Sequence, residues 1–342
     1  MTPPDDVAAA AAAPWHEGER AVQARLGVRE RMDKVGPRNI RRFMPDQHRL
    51  FFAQLPFLVA GSVDRGGATW ASLLAGPPGF ASSPDPKTLH IAARPVAGDP
   101  LAEAMRPGAP LGLLGIELPT RRRNRMNGRI TAVDGSGLSV AVEQSFGNCN
   151  QYIQRREYVW TAPSARVPHV DALRTIDDEA RTLIQSADTC FVASASSAEP
   201  SPTEGVDVSH RGGRPGFIGI DGDGALVIPD YAGNRFFNTL GNLLVNPRAG
   251  LLFLDFARGD LLQLTGRTDI VWDGPAVQAF RGAERLWRFH PVHGRWLRGA
   301  LPVRFEFGDL SPNHAATGTW REAQQALLAS TQDRTAEGTE KR

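Results

Sequence analysis

Between Trp15 and Arg42 the chain is dense in charge, and apolar Val22, Leu26, Val28, Met32 and Val35 recur at loose helical spacing, which predicts a helical N-terminal extension over residues 15–46. From Phe51 onward the pattern changes. Short runs of leucine and β-branched residues are cut by Gly and Pro, the form taken by strands joined through tight turns. Phe236 to Leu244 returns to helix-like apolar spacing, with Asn234 just ahead as a candidate N-cap. Residues 311–342 read as a tail or helix.

The strand-rich region repeats itself. FLVAGS at Phe57 pairs with FVASAS at Phe191, and PPGF at Pro77 with RPGF at Arg214. TLHIAA at Thr88 pairs with ALVIPD at Ala225, PLGLLGIEL at Pro110 with RAGLLFLDF at Arg248, and MNGRI at Met126 with LTGRT at Leu264. The offsets are 134, 137, 137, 138 and 138, the slow drift left by a duplication with small loop insertions. Two domains follow, at 47–160 and 175–310, with residues 161–174 as a linker made extended by Pro163 and Pro168.

A length of 342 residues agrees with two cores, and 41% apolar with 22% charged residues is ordinary for a globular chain. The 35 Gly and 26 Pro favour a turn-rich β architecture. A net charge of +2, from 39 basic and 37 acidic residues, gives no overall field for a nucleic acid or a membrane surface. Cys149 and Cys190 are too few for a disulfide framework. The alanines from Ala8 to Ala13 follow Asp5 and Asp6 without a basic segment, so residues 1–14 read as a disordered tail and the expected location is cytoplasmic.

Three stretches of the second repeat carry a family pattern: VDVSHRGGRPGFIGI from Val206, ALVIPDYAGNRFFNTLGNLLVNPRAGLLFLDF from Ala225, and LLQLTGRTDIV from Leu261. Together they resemble the pyridoxamine 5'-phosphate oxidase-like, FMN-binding split β-barrels. The first repeat is more divergent, with Trp70-Ala71-Ser72 where Val208-Ser209 would stand. Its RRRNRMNGR from Arg121 and QSFGNCNQYIQRR from Gln144 resemble a bacterial subgroup labelled only as oxidoreductase-related. The resemblance implies a mainly β fold with peripheral helices, built as two tandem FMN-binding-type split β-barrels.

FMN presents a dianionic phosphate, a polar ribityl chain and a flat ring, so its site needs cations and backbone donors at one end. By resemblance Arg211 and Arg235 are the phosphate candidates, with Gly212 allowing close backbone approach, Ser209 and Asn234 as hydrogen-bond partners, and Ile228, Pro229 and Asp230 along the ring. Each arginine taken alone also reads as a solvated surface charge. The Arg121 to Arg125 cluster is the densest positive run, and in a family whose cofactor lies between two barrels Arg123, Asn124 and Asn127 would face the flavin of the other barrel. Cys149 has only Arg155 and Arg156 near it in sequence to activate a thiol, so ligand contact by Asn148, Gln151 or Tyr152 is the better reading there. Cys190 reads as core. His290 and His293 flank Pro291, which breaks ligand spacing, and no metal is expected. Dinucleotide, Walker and nucleophile-elbow motifs are absent from the sequence.

The function implied is an FMN-dependent oxidoreductase acting on a small molecule, with NAD(P)H as a candidate electron donor. The alternative is a protein that holds flavin, haem or another metabolite without turnover, and a third reading is a structural or partner-binding scaffold. Two assemblies satisfy a fused pair of barrels, a pseudo-dimeric monomer or a homodimer of fused chains.

Overall fold

The structure is a computed structural model that describes residues 14–161, 169–197 and 205–340. The alanine tail, and the two prolines of the expected linker, lie outside the described residues.

Helices α1 (Glu17–Arg25) and α2 (Arg29–Asn39) form the N-terminal extension, and α3 (Asp46–Ala53) leads into the first sheet. The start of α1 is set by a capping box: His16 accepts from the Gly18 amide while Glu19 accepts from the His16 amide. The first half then runs through β1 (Phe57–Val63), β2 (Thr69–Ala75), β3 (Ala81–Ser82), β4 (Thr88–Ile91), α4 (Leu101–Ala104), β5 (Pro110–Glu117), β6 (Arg122–Val133) and β7 (Leu138–Gly147). Strands β8 (Arg156–Trp160) and β9 (His169–Leu173) follow. The second half comprises α5 (Asp178–Ser186), β10 (Thr189–Ala195), β11 (Val206–Gly212), β12 (Gly219–Ile220), β13 (Leu226–Tyr231), α6 (Asn238–Val245), β14 (Arg248–Asp255), β15 (Asp260–Val271), α7 (Pro275–Ala279) and β16 (Ala283–Arg298). Strand β17 (Val303–Phe307) and α8 (Trp320–Glu340) close the chain.

The duplication is visible in topology. One sheet has the order β2-β1-β5-β6-β7-β4-β3 and the other β11-β10-β14-β15-β16-β13-β12, which is the same order strand for strand. Even the irregularity is repeated: β6 bulges at Asn127/Gly128 and β15 at Thr265/Gly266, 138 residues on. Four of the five sequence pairings hold in register. The fifth is corrected by two residues. Gly61 stands opposite Gly112 as Ala193 stands opposite Gly250, so FLVAGS matches TCFVAS from Thr189 rather than FVASAS. A slip of two keeps every side chain on its face, which is why hydrophobic pattern alone did not detect it.

Alternation along β1 and β10 feeds separate cores. Leu58 and Ala60 enter the core of the first barrel, Cys190 and Val192 that of the second. Phe57, Val59, Phe191 and Ala193 enter a third core between the barrels. Close packing there depends on two equivalent glycines. A Cβ on Gly112 would lie 2.4 Å from the Val206 carbonyl oxygen, and one on Gly250 would lie 2.5 Å from that of Thr69. Contacts of i with j and of j with i define an isologous interface, so the fused chain folds as an internal pseudo-dimer.

Three further elements tie the halves together. Strand β8 from the first half pairs with β17, and β9, inside the expected linker, adds to β16. Helix α1 crosses α6 where Gly18 meets Gly241, close enough that a Cβ on Gly18 would sit 2.1 Å from the Gly241 carbonyl oxygen. No helix among the described residues is long and apolar enough to cross a membrane.

Candidate functional site

A cleft opens between the barrels where β6 of the first meets β11 of the second. On β6, Met126 points into the first core, so Arg123 and Arg125 project the other way, toward the second barrel. The remaining walls are Asn148, Cys149, Gln151 and Tyr152 after β7, residues 209–212 of β11, Pro229 to Arg235 at the end of β13, and Phe237 to Leu240 at the start of α6. Gly212 is required at its position because the Tyr152 carbonyl oxygen would lie 2.0 Å from any Cβ there.

The arginines differ in how they are neutralised. Arg125 donates to Asp207 at 2.9 Å and to Ser209 Oγ, and Asp207 also accepts from Asn127 and Asn242. Arg211 donates to Asp230 at 2.5 Å, whose second oxygen takes Arg285. Arg235 is bidentate on Glu284, which Arg285 also reaches. Among the described residues Arg123 has no carboxylate: its Nε donates to the Cys149 carbonyl oxygen, and Nη1 stands 3.4 Å from His210 Nδ1. Burial, reinforced by the charges of Arg125 and Arg211, pushes the Arg123 pKa down to about 10. Burial also holds His210 well below its usual value, with Arg123 and Arg211 adding to the shift, so the imidazole is neutral at pH 7.

Five guanidinium groups (Arg123, Arg125, Arg211, Arg235, Arg285) thus share three carboxylates (Asp207, Asp230, Glu284), leaving an excess of two positive charges. Nearby Glu19 is shifted by burial, and then by Asp207, toward its neutral form. Several buried polar atoms at the cleft have no partner among the described residues: Arg125 Nε, Asn148 Nδ2, His210 Nε2 and Arg211 Nε. Orphaned buried donors are rare in folded proteins and point to a missing acceptor.

Backbone strain gathers at the same place. Among the described residues four non-glycine positions have φ near +60°, and three of them, Tyr152, Arg235 and Phe237, line the cleft. Such residues each cost about 1–3 kcal/mol and mark ligand clamps. Phe237 in this conformation is the N-cap of α6 and provides no side-chain cap, so the first turn of the helix faces the cleft with its amides uncapped.

Of the residues expected from sequence, Ser209, Arg211, Gly212, Pro229, Asp230, Asn234, Arg235, Arg123 and Gln151 all line this one cleft. Three do not. Ile228 is in the second core, Asn124 lies on the opposite face of β6 from Arg123, and Asn127 holds Asp207 from outside the cleft. Asn234 is not the cap of α6: its Oδ1 accepts from the Phe236 amide in a turn three residues before the N-cap. Sequence reading took Arg125 only as part of the Arg121 to Arg125 cluster and did not single out His210, Tyr231 or Thr239. The alternation of Arg123 with Arg125 along β6 was the available signal that both face the cleft. Cys149 lines the cleft and Cys190 is buried, its thiol pushed up to about 12 by burial. His290 pairs with Asp269, while the His293 ring packs edge-on against Trp70.

A duplicated split barrel with one cationic cleft between its halves is the class of protein these features define. The family model of pyridoxamine 5'-phosphate oxidase matches residues 176–297, so the second barrel is the part of the chain that is similar to the pyridoxamine 5'-phosphate oxidase-like split barrels. No curated protein is a detectable sequence relative. Similar solved structures include HupZ of Group A Streptococcus, 12% identical, covering 40% of this chain and 98% of its own, with a TM-score of 0.28. Others are HutZ, the heme storage protein from Vibrio cholerae (16% identity, 37% and 96% coverage, TM-score 0.26), and General Stress Protein 26 from Bacillus anthracis (12%, 37% and 95%, 0.24).

Proposed function

We propose that the cleft binds flavin mononucleotide and that the protein is an FMN-dependent oxidoreductase acting on a small molecule. The observation that carries this reading is the excess of two positive charges beside unpartnered donors and an uncapped helix start, which complements a phosphate dianion. Arg123, which holds no carboxylate, and the first turn of α6 would hold the phosphate, with the Asp207-paired Arg125 beside them. Tyr152 and Tyr231, with ring centroids 5.0 Å apart, would give the flat ring an aromatic wall. When bound, FMN supplies the electron and hydride chemistry, and the chain supplies binding, orientation and a positive field. Arg211 and Arg235, the phosphate candidates from sequence, already hold carboxylates, and their role here is to fix the cleft wall. Because both walls come from one chain, this reading favours the pseudo-dimeric monomer as the working unit.

The test is the visible absorbance of the purified protein during titration with FMN, then with NADPH or NADH. Saturable perturbation of the flavin bands followed by bleaching supports the reading; absence of binding at millimolar FMN overturns it. A second reading, a holder of flavin, haem or another metabolite without turnover, draws on His210, a neutral imidazole at the cleft whose Nε2 has no partner. Haem titration giving a Soret band that His210→Ala abolishes would favour that reading.

A further inference from the structure

The internal two-fold relates the open cleft to a second groove, between β2 of the first barrel and β15 of the second. Strand registers fix the correspondence. Gly61 pairs with Ala71 and Gly112 as Ala193 pairs with Val208 and Gly250, and Asn127 stands opposite Gly112 as Thr265 stands opposite Gly250. Counting along the strands, Ser72 matches Ser209, Gln263 matches Arg125, and Leu261 matches Arg123. Leu74 and Leu73 replace Arg211 and His210, and Leu101 opens α4 as Asn238 opens α6.

We propose that this second groove is an anion site whose ligand is the chain's own Asp99 carboxylate, so that each chain offers one groove to a free ligand rather than two. Asp99 is 2% exposed and accepts from Ser72 Oγ at 2.6 Å, from the Leu101 amide at 2.8 Å and from Gln263 Nε2 at 3.1 Å. Those three donors come from β2, α4 and β15, the counterparts of the elements that bring Ser209, the Asn238 amide and Arg125 to the open cleft. Among the described residues no cation is ion-paired with Asp99. Burial raises its pKa to about 6, against the three hydrogen bonds and the charge of Arg295, which pull it down. Capping of α4 alone would account for the Leu101 contact; it leaves the bond from Ser72 and the bond from Gln263, which crosses between barrels, without a reason.

Removing the carboxyl group should leave a vacancy with three donors that a small monocarboxylate fits. The test is the thermal midpoint of Asp99→Ala in sodium formate against sodium chloride at equal ionic strength and pH 7.5. The expected result is a lowered midpoint that formate raises over chloride in a saturable manner, by more than any formate-specific gain the open cleft gives the unmodified protein. Equal effects of the two salts on the variant would overturn the proposal. Should Asp99→Ala fail to fold in chloride, its refolding yield is the readout, rising with formate if the inference holds and flat if it does not. Flavin stoichiometry of the unmodified protein is a second measurement: two flavins per chain overturn the proposal. A chain that takes up no flavin overturns the functional reading above and leaves the formate experiment to decide this one.

Discussion

The two grooves between the barrels share a backbone and differ in what fills them. In the open one, Arg123, Arg125 and Arg211 line the cleft, the Nε atoms of Arg125 and Arg211 and the Asn148 amide nitrogen have no acceptor among the described residues, and three residues are held in left-handed conformations. In the closed one, Leu261, Gln263 and Leu74 stand at the same positions, Trp70 replaces Asp207, and Ser72 Oγ and Gln263 Nε2 both donate to Asp99. A homodimer must keep both copies of a site alike. Duplication within a chain removes that constraint, so one groove keeps charge and strain while the other becomes a packed joint between the halves.

The sharpest contrast lies at Arg125 and Gln263. Arg125→Ala strands the buried Asp207 without its cation and should cost about 3–5 kcal/mol. Gln263→Ala removes neutral hydrogen bonds and should cost about 1–3 kcal/mol. Urea denaturation of both variants measures the gap, and equal losses would mean the grooves are not electrostatically distinct.

Next in size is the pH dependence from Asp99. Its folded pKa of about 6 lies above the unfolded value near 4, so the native state binds the extra proton and stability falls as pH rises between those values, by about 3 kcal/mol in all. His314, depressed to about 4 by burial, acts with the opposite sign and loses stability as pH falls below 6.5. The difference between Asp99→Asn and the unmodified protein isolates the first effect: the variant's relative stability should grow from pH 4 to 6 and then stay level. A flat difference would show that Asp99 is not buried as a charge.

Much of the fold was legible because duplication writes the same signals twice. PPGF and RPGF make the same turn, with Gly79 and Gly216 both at positive φ and the Phe80 and Phe217 amides each bonded back three residues. The site was legible where a motif sat on one strand, as at Ser209 to Gly212. It was not legible where partners come from distant segments: nothing local links Arg125 to Asp207, Asp99 to Gln263, or Glu19 to Asn238. Asn234 misled because Asn serves an N-cap and a turn equally well, and only the left-handed Phe237 places the helix start.

The glycine pair tests whether the joint is symmetric. Gly112→Ala and Gly250→Ala each press a methyl group on a backbone oxygen of the opposite barrel and should each cost about 1–3 kcal/mol. Similar shifts in thermal midpoint are expected. A large inequality would show that the open cleft relaxes around the added atom and the closed one does not.

The smallest effect on stability belongs to Arg123, and it is the most informative about function. Arg123→Leu copies Leu261 of the closed groove into the open one. Arg123 is partly buried, carries its charge against burial and has no acidic partner, so its removal should change folding stability by less than about 1 kcal/mol, or raise it. FMN affinity should fall about 10- to 100-fold, the loss of one charge-assisted hydrogen bond. Stability from denaturation and affinity from flavin titration would therefore move independently. If both fall together, Arg123 is a structural residue and the cationic excess of the cleft is not there for a ligand.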